Sequence, residues 1–340
     1  MTDLRAEATR GVGATKTESA ADAARRTQID GIQRARLLAA AARAVDDLGY
    51  GQTTVTTITT WARVSRRTFY ELFGNREECL VAVLDDAVAR VRGDLAAAGL
   101  QALPWRERMR EGLWTILCFL DSEPALARVC VVQSLRGGPA MQARRAQLLA
   151  ELAAALDEGR HESVRAAELP ALTAEGLVGA AVGILHNRLP GGGEQLRELH
   201  GELMAMIVLP YLGAGAARRE LVRPTPAPAA PTGARLQGDP LEGVEMRVTY
   251  RTARVLEAVA ESPRANNRQV AERAGIQDQG QVSKLLGRLE RLGLLVNRGV
   301  GHAKGEPNAW ALTPRGEQVA HSMRTRATAN AAQAGRGTRQ

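Results

Sequence analysis

Apolar residues recur every three or four positions along most of this chain, which is the spacing of helices that bury one face. One such stripe covers residues 32–48 and another covers residues 80–95. Between them, residues 53–73 carry two shorter stripes that predict two short helices joined by a tight turn. Ser65 stands at the N-cap position of the second short helix, which we therefore expect to begin at Arg66.

The same periodicity continues from residue 100 to residue 213, where breaks at Pro and Gly predict about five further helices. The last two, residues 177–188 and 196–212, carry more apolar surface than one helical layer hides. We expect them to pair across a twofold axis and form a four-helix bundle in a homodimer. The predicted interface residues are Ile184, Leu185, Leu199, Leu203 and Met206.

The pattern changes at residue 214. Residues 214–241 are rich in Pro, Ala and Gly and lack periodicity, which predicts a linker. At about 3.1 Å per residue its ~25 residues would span roughly 75 Å when extended. Residues 242–325 then predict three helices, of which the third covers about residues 279–292, with leucines inward, and ends at Gly293. A strand at 294–297, a Gly-rich basic loop, a strand at 308–312 and a last helix follow. The polar residues expected to face outward on the third helix and the loop are Gln279, Gln281, Lys284, Arg288, Arg298, His302 and Lys304.

Charge is unevenly distributed along the chain. Of the formal net charge of +8, residues 241–340 hold +7, because they contain 16 basic and 9 acidic side chains. A localised basic excess favours nucleic acid as a partner, since backbone phosphates supply most of that attraction. The composition, with 3% aromatic and 45% hydrophobic residues, is typical of a mainly helical protein. We expect residues 1–28 and 326–340 to be disordered because they show no periodicity.

Several function classes are not favoured. The three cysteines, Cys79, Cys118 and Cys130, lack disulfide or zinc spacing, so no metal or cofactor is expected. No nucleophile, metal-ligand or phosphate-loop pattern indicates an enzyme. The longest apolar run, residues 203–212, is too short to span a bilayer, so we expect a soluble cytoplasmic protein that binds no membrane.

Residues 32–84 resemble the DNA-binding head of the TetR family of bacterial repressors. The resemblance rests on the order hydrophobic helix, GY, TTV, I-x-x-x-A, VS, T-aromatic-Y, x-x-F, then a charged residue, E-x-L. It implies that Thr54, Tyr70 and Arg76 contact phosphates of double-stranded DNA. The residues placed at the bases, beside the cap residue Ser65, are Arg66, Arg67 and Thr68.

Three positions depart from the family pattern. Arg63 replaces the usual turn glycine, Arg67 replaces a second frequent glycine, and Glu71-Leu72 replaces an aromatic-histidine pair. A residue other than glycine at positive φ costs about 1 kcal/mol. We expect the fold to tolerate these replacements. The base sequence that this chain recognises, however, cannot be inferred from its relatives.

The resemblance also implies an effector cavity in the helical body, residues 79–213, which follows the head, residues 29–78, in the sequence. The effector is unknown, and the expected apolar lining is Trp105, Trp114, Phe119 and Met141. Effector binding would shift the helix after Arg76 and change the separation of the two heads in a homodimer. The resemblance thus implies a ligand-responsive repressor that binds a palindromic operator.

The C-terminal pattern, with Q-V-A-x-x-A-G, V-S-K-L-L-x-R-L-E-x-L-G-L-L and W-x-L-T-P-x-G, resembles the winged helix-turn-helix domains of MarR-like regulators. The predicted fold is therefore mainly α, with a TetR-like all-helical head and body, a linker and a small α+β winged helix domain. The resemblance is more specific for fold than for function. The winged helix either contacts DNA or serves as a protein-interaction or autoregulatory module.

Overall fold

The computed structural model describes residues 26–27, 29–164, 166–189, 195–226, 249–299 and 308–321. Backbone contacts divide the chain into two compact units. The first comprises the described parts of Met1–Leu37, Thr59–Leu72 and Leu236–Gln340, and the second those of Leu38–Ile58 and Phe73–Arg235. Almost all of the two predicted disordered ends, most of the predicted linker, and His302 and Lys304 lie outside the described residues.

Helices dominate the described residues, as predicted. The helices of the head and body are α1 (residues 29–48), α2 (Val55–Ala62), α3 (Arg66–Leu72), α4 (Arg76–Ala97), α5 (Trp105–Ser122), α6 (Pro124–Val131), α7 (Pro139–Asp157), α8 (Thr173–Arg188) and α9 (His200–Val222). Those of the C-terminal domain are α10 (Tyr250–Glu261), α11 (Asn267–Arg273), α12 (Gln279–Arg291) and α13 (residues 314–321), with strands β1 (Leu295–Asn297) and β2 (Trp310–Leu312).

The C-terminal domain is a winged helix packed around a hydrophobic core. Strands β1 and β2 pair antiparallel, with Val296 opposite Ala311, and Trp310 also bridges to Ala265. Helix α12 buries Val282, Leu286 and Leu289 completely, because their spacing puts them on one face. The predicted bounds of α12 and of both strands agree with the structure to within two residues.

One residue far away in sequence belongs to this same core. Ile32, in the N-terminal part of α1, is fully buried and joins the hydrophobic cluster that contains Val255, Leu286 and Trp310. Both segments lie in the first compact unit. Helix α1, predicted as part of the head, therefore also contributes a residue to the core of the winged helix. The sequence did not predict this contact.

The second unit is a helical body with two apolar clusters. The first cluster contains Trp105, Met204, Ile207 and Tyr211. The second contains Leu117, Leu185 and Leu203. Helix α9 bends at Gly213, whose φ of 79° and ψ of 174° are not helical, and then continues to Val222. Residues 214–222, predicted as the start of the linker, are thus helical.

A buried ion cluster explains why α9 continues. Glu220 is completely buried and binds Arg106 and Arg110 of α5. Arg110, itself buried, also donates to the backbone oxygen of Pro224. Arg223 adds two hydrogen bonds of 2.7 and 2.8 Å to the carboxylate of Glu107. These contacts fix the point at which the chain leaves the body.

Candidate nucleic-acid interface and effector cleft

Two side-chain caps define the helix-turn-helix of the head. The Thr57 backbone N–H donates to Thr54 Oγ1 at 3.1 Å, and the Thr68 N–H donates to Ser65 Oγ at 3.0 Å. Helix α3 begins at Arg66, as predicted from the cap. In the turn between the helices, Arg63 has a φ of 53°, so a residue other than glycine occupies the left-handed conformation.

The outward face of α3 is polar and open to solvent. Arg66, Arg67 and Tyr70 are exposed, Thr68 is half-buried, and Phe69 points inward with no exposed surface. The side chain of Arg67 is 88% exposed and its Nε lies 2.8 Å from Glu71 Oε1, one turn further along the same helix. This hydrogen bond raises the pKa of Arg67. Glu71 therefore orients the arginine that the family resemblance places at the bases.

Arg76 occupies a different environment from the other predicted phosphate ligands. Its Nη1 donates to the backbone oxygens of Tyr50 and Thr53 at 3.1 and 2.8 Å, and its guanidinium lies 5.1 Å from the centroid of the Tyr50 ring. These bonds tie the first turn of α4 to the end of the segment that precedes α2. In this structure Arg76 braces the head, and its phosphate contact stays a prediction.

The winged helix presents a second polar face. Asp278 caps α12 by accepting from the Gln281 N–H at 3.0 Å. The side chains of Gln279, Gln281, Lys284 and Arg288 are exposed along that helix, as is Arg298 after β1. Gln281 is held by Arg251 Nη1 at 2.7 Å. The described residues thus carry two separate helix-turn-helix surfaces.

An asparagine network, missed in the sequence, joins α11, α12 and the strands. Asn267 Oδ1 accepts from Trp310 Nε1 at 2.6 Å and from Asn308 Nδ2 at 3.0 Å. Asn267 Nδ2 donates to Ser283 Oγ at 2.9 Å, and Asn297 Nδ2 donates to Asn308 Oδ1 at 2.8 Å. Asn267 consequently positions the strands of the wing relative to α12. The only sequence signal was the asparagines beside the predicted strands.

The predicted dimer residues lie mostly inside the protomer. Leu185, Leu199 and Leu203 are buried in one cluster, and Ile184 and Met206 pack against it. What α8 exposes instead is a row of small residues at helical spacing, Gly176, Gly179, Ala180 and Gly183. A Cβ added at any of these three glycines would meet no atom within 4 Å. On α9, Leu209 is 49% exposed.

The four residues predicted to line an effector cavity do not share one environment. Trp105 packs edge-on against Tyr211 at 5.1 Å and donates from Nε1 to the Ala155 oxygen. Phe119 packs against the other cluster of the body. Trp114 and Met141 are buried. Whether any of them touches an effector stays a prediction.

The described residues of the body also form a polar cleft of about 460 Å³ at the ends of α5 and α8 and the start of α6. Its lining is Cys118, Leu120, Asp121, Ser122, Pro124, Arg128, Arg188, Leu189, Gln195, Leu196 and Arg197. Burial raises the pKa of the Cys118 thiol, so this cysteine stays protonated at neutral pH. Among the described residues, no three His, Cys, Asp or Glu side chains converge as metal ligands.

Comparison with known families agrees with this geometry. Residues 37–83 match the bacterial regulatory proteins of the tetR family, and residues 249–299 match the IclR helix-turn-helix domain. The chain therefore carries a TetR-type DNA-binding domain and a second, winged helix-turn-helix domain, as predicted. The second domain was predicted to be MarR-like, and the family it matches is IclR. The tetR family consists of bacterial regulatory proteins.

Solved structures of transcriptional regulators resemble about half of this chain. The fatty acid degradation regulator FadR from Bacillus halodurans is 19% identical with a TM-score of 0.47, covering 52% of this chain and 94% of that one. A TetR-like regulator from Rhodococcus sp. RHA1 is 22% identical with a TM-score of 0.44, covering 52% and 94%. FadR from Bacillus subtilis, solved with stearoyl-CoA, is 17% identical with a TM-score of 0.43, covering 51% and 96%. No curated protein matches the chain.

Proposed function

We propose that this protein is a dimeric, ligand-responsive transcriptional repressor that binds a palindromic operator through α3 and contacts DNA again through α12. The observation that supports this proposal is the exposed polar face of α3, the helix whose N-terminus is capped by Ser65. Arg66, Arg67 and Thr68 read base edges, while Thr54 and Tyr70 bind phosphates and set the orientation of the helix. In the dimer the two copies of α3 lie about 34 Å apart, in successive major grooves.

Two substitutions separate these roles. Tyr70→Phe removes one hydroxyl and should weaken binding to all DNA sequences alike. Arg67→Ala removes a base contact, so it should weaken binding and also relax the preference at one base pair of each half-site. Fluorescence anisotropy with the operator and with single-base variants measures both effects. Unchanged operator affinity in both variants would refute the assignment of α3.

The packing of Ile32 supports DNA contact by the winged helix over a role in covering the head. Ile32 lies in the winged helix core, yet Arg67 remains 88% exposed in the same compact unit. Lys284 and Arg288 are exposed as well. A module that masked the DNA-reading face of α3 would bury Arg67. The joint variant Lys284→Ala/Arg288→Ala should therefore lower operator affinity, and its salt dependence should become shallower. Unchanged affinity and salt dependence would favour a protein-binding or autoregulatory module.

The glycine row of α8 supports the dimer. Glycine within a helix costs roughly 1 kcal/mol relative to alanine, so three glycines on one exposed face are unfavourable unless a second helix approaches closely. Gly179→Leu fills open space in the protomer and should therefore fold but dissociate the dimer. Gly93→Leu, at another exposed helical glycine with open space, is the control. Sedimentation equilibrium measures the oligomeric state of both variants. A Gly179→Leu variant that remained dimeric would contradict this interface.

We place the protein in the cytoplasm, without a membrane partner. The segment Leu196–Val222 has the length and mean hydropathy, 1.2, of a membrane span. Half of its most apolar window is buried inside the body, and Glu220 binds two arginines there. A core helix of a soluble protein accounts for both observations. A carbonate wash of cell membranes that retained the protein would contradict this placement.

A further inference from the structure

The polar cleft of the body is strongly basic for its size. Arg128, Arg188 and Arg197 line it together with one acidic residue, Asp121. The Asp121 carboxylate already accepts from the backbone N–H groups of Leu196 and Arg197, at 2.7 and 3.1 Å. The lining therefore holds three guanidinium groups and one carboxylate that is engaged by backbone amides. Of the three, Arg128 is itself paired with Asp46, which lies outside the lining. A ligand with a negative charge is the chemistry that matches.

Apolar residues define the rest of the cleft. Leu120, Pro124, Leu189 and Leu196 contribute to the lining, and the volume of about 460 Å³ lies in the range of small-molecule sites. An inorganic ion would leave this apolar surface unused. The combination fits an organic anion with one carboxylate and a short hydrocarbon or aromatic part.

Arg128 links the cleft to the head. Its Nε and Nη2 donate to the two carboxylate oxygens of Asp46, the second at 2.6 Å, and Asp46 lies in the last turn of α1. Nearby, the Tyr50 N–H donates to Gln133 Oε1 at 3.4 Å, a weaker bond between the same regions. The Arg128–Asp46 pair is therefore a two-bond polar contact between the lining of the cleft and the end of α1. Both residues lie in the second compact unit.

We infer that this cleft binds a small organic carboxylate, which competes with Asp46 for Arg128 and so frees the end of α1. The loss of this contact lets the head change position and weakens operator binding. The inference names the effector class and the coupling contact, and its second half rests on the proposed function. Binding at the cleft is testable without DNA.

Calorimetry on the full chain tests the site with matched probes: benzoate and hexanoate against the neutral benzamide and hexanamide. We expect a carboxylate to bind while its amide does not, and Arg197→Gln to weaken that binding at least tenfold. Arg218→Gln, which removes the same charge from an exposed position on α9 outside the cleft, should leave it unchanged. Equal binding of acid and amide, no binding of either acid, or equal effects of the two variants would overturn the site.

Asp46→Asn tests the coupling. This variant weakens the bond to Arg128 without a ligand, so its operator affinity should already equal that of the wild type with saturating carboxylate. Added carboxylate should then change it less than twofold. Glu151→Gln, which breaks an exposed ion pair between α4 and α7, should keep the wild-type response. A full response in Asp46→Asn would overturn the competition. A chain that binds no DNA would refute the proposed function and leave the calorimetric test standing.

Discussion

The buried pair Arg110–Glu220 gives the sharpest stability prediction. The two side chains are 2% and 0% exposed, so Glu220→Gln would leave the Arg110 guanidinium buried without a negative partner. Breaking one partner of a buried ion pair costs about 3–5 kcal/mol. For a body of this size, each kcal/mol lowers the melting temperature by roughly 2–4 °C, so we expect a loss of about 6–20 °C.

Scanning calorimetry of the full chain measures the melting of the body. The control is Glu151→Gln, whose pair with Arg92 has side chains 58% and 41% exposed and is worth at most about 1 kcal/mol. Hydrogen exchange adds a local readout, because residues 214–222 should lose protection in Glu220→Gln only. If the two variants melted within about 2 °C of each other, the cluster would not anchor the end of α9.

Three further predictions concern single residues. Burial lowers the pKa of His200, so the unfolded chain binds the proton first as the pH falls. In urea unfolding, the contribution of His200 to stability should be constant above pH ~6.5 and fall below it, so His200→Gln should reduce the loss of stability just below that pH. Arg63→Gly should raise the melting temperature of the head because it relieves a strain of about 1 kcal/mol at the φ of 53°, whereas Arg63→Val should lower it. Asn267→Ala should destabilise the winged helix by roughly 1–3 kcal/mol, because the buried Trp310 loses the acceptor of its Nε1–H and Asn308 loses one hydrogen bond. Urea unfolding followed by tryptophan fluorescence measures this loss, and Gln277→Ala, at an exposed position before α12, is the control that should leave stability unchanged.

Local signals predicted the local structure well. Ser65 identified the start of α3, because a side-chain cap and an apolar stripe are both written in neighbouring residues. The same holds for α12, whose inward leucines and closing Gly293 fixed its bounds nearly to the residue. The positive φ at Arg63 followed from the turn itself.

Contacts between distant residues could not be predicted this way. Gly213 is an ordinary helix-ending signal, yet α9 continues because Glu220 reaches arginines more than one hundred positions earlier. Ile32 fits the stripe of α1, and nothing nearby in sequence indicates that it enters the core of a domain more than two hundred residues later. Asn267 is one polar residue among many until the fold brings it to Trp310.

The predicted dimer surface shows the same limit. The apolar stripes of α8 and α9 were assigned to a partner subunit because they exceeded what one layer hides, but the protomer itself buries much of them. The exposed row at Gly176, Gly179 and Gly183 became visible only when the burial of each residue was known. Sequence periodicity indicates that a face is buried, and it does not distinguish the protomer core from an interface.

Selection of bound DNA from a random-duplex library tests the central claim most directly. It should be run on the full chain and on the variant Lys284→Ala/Arg288→Ala. We predict a palindrome from both proteins, with an additional flanking motif from the unmodified chain alone. If both proteins selected the same palindrome without a flanking motif, the winged helix would not recognise a DNA sequence. Failure to enrich any sequence with the full chain would contradict the account as a whole.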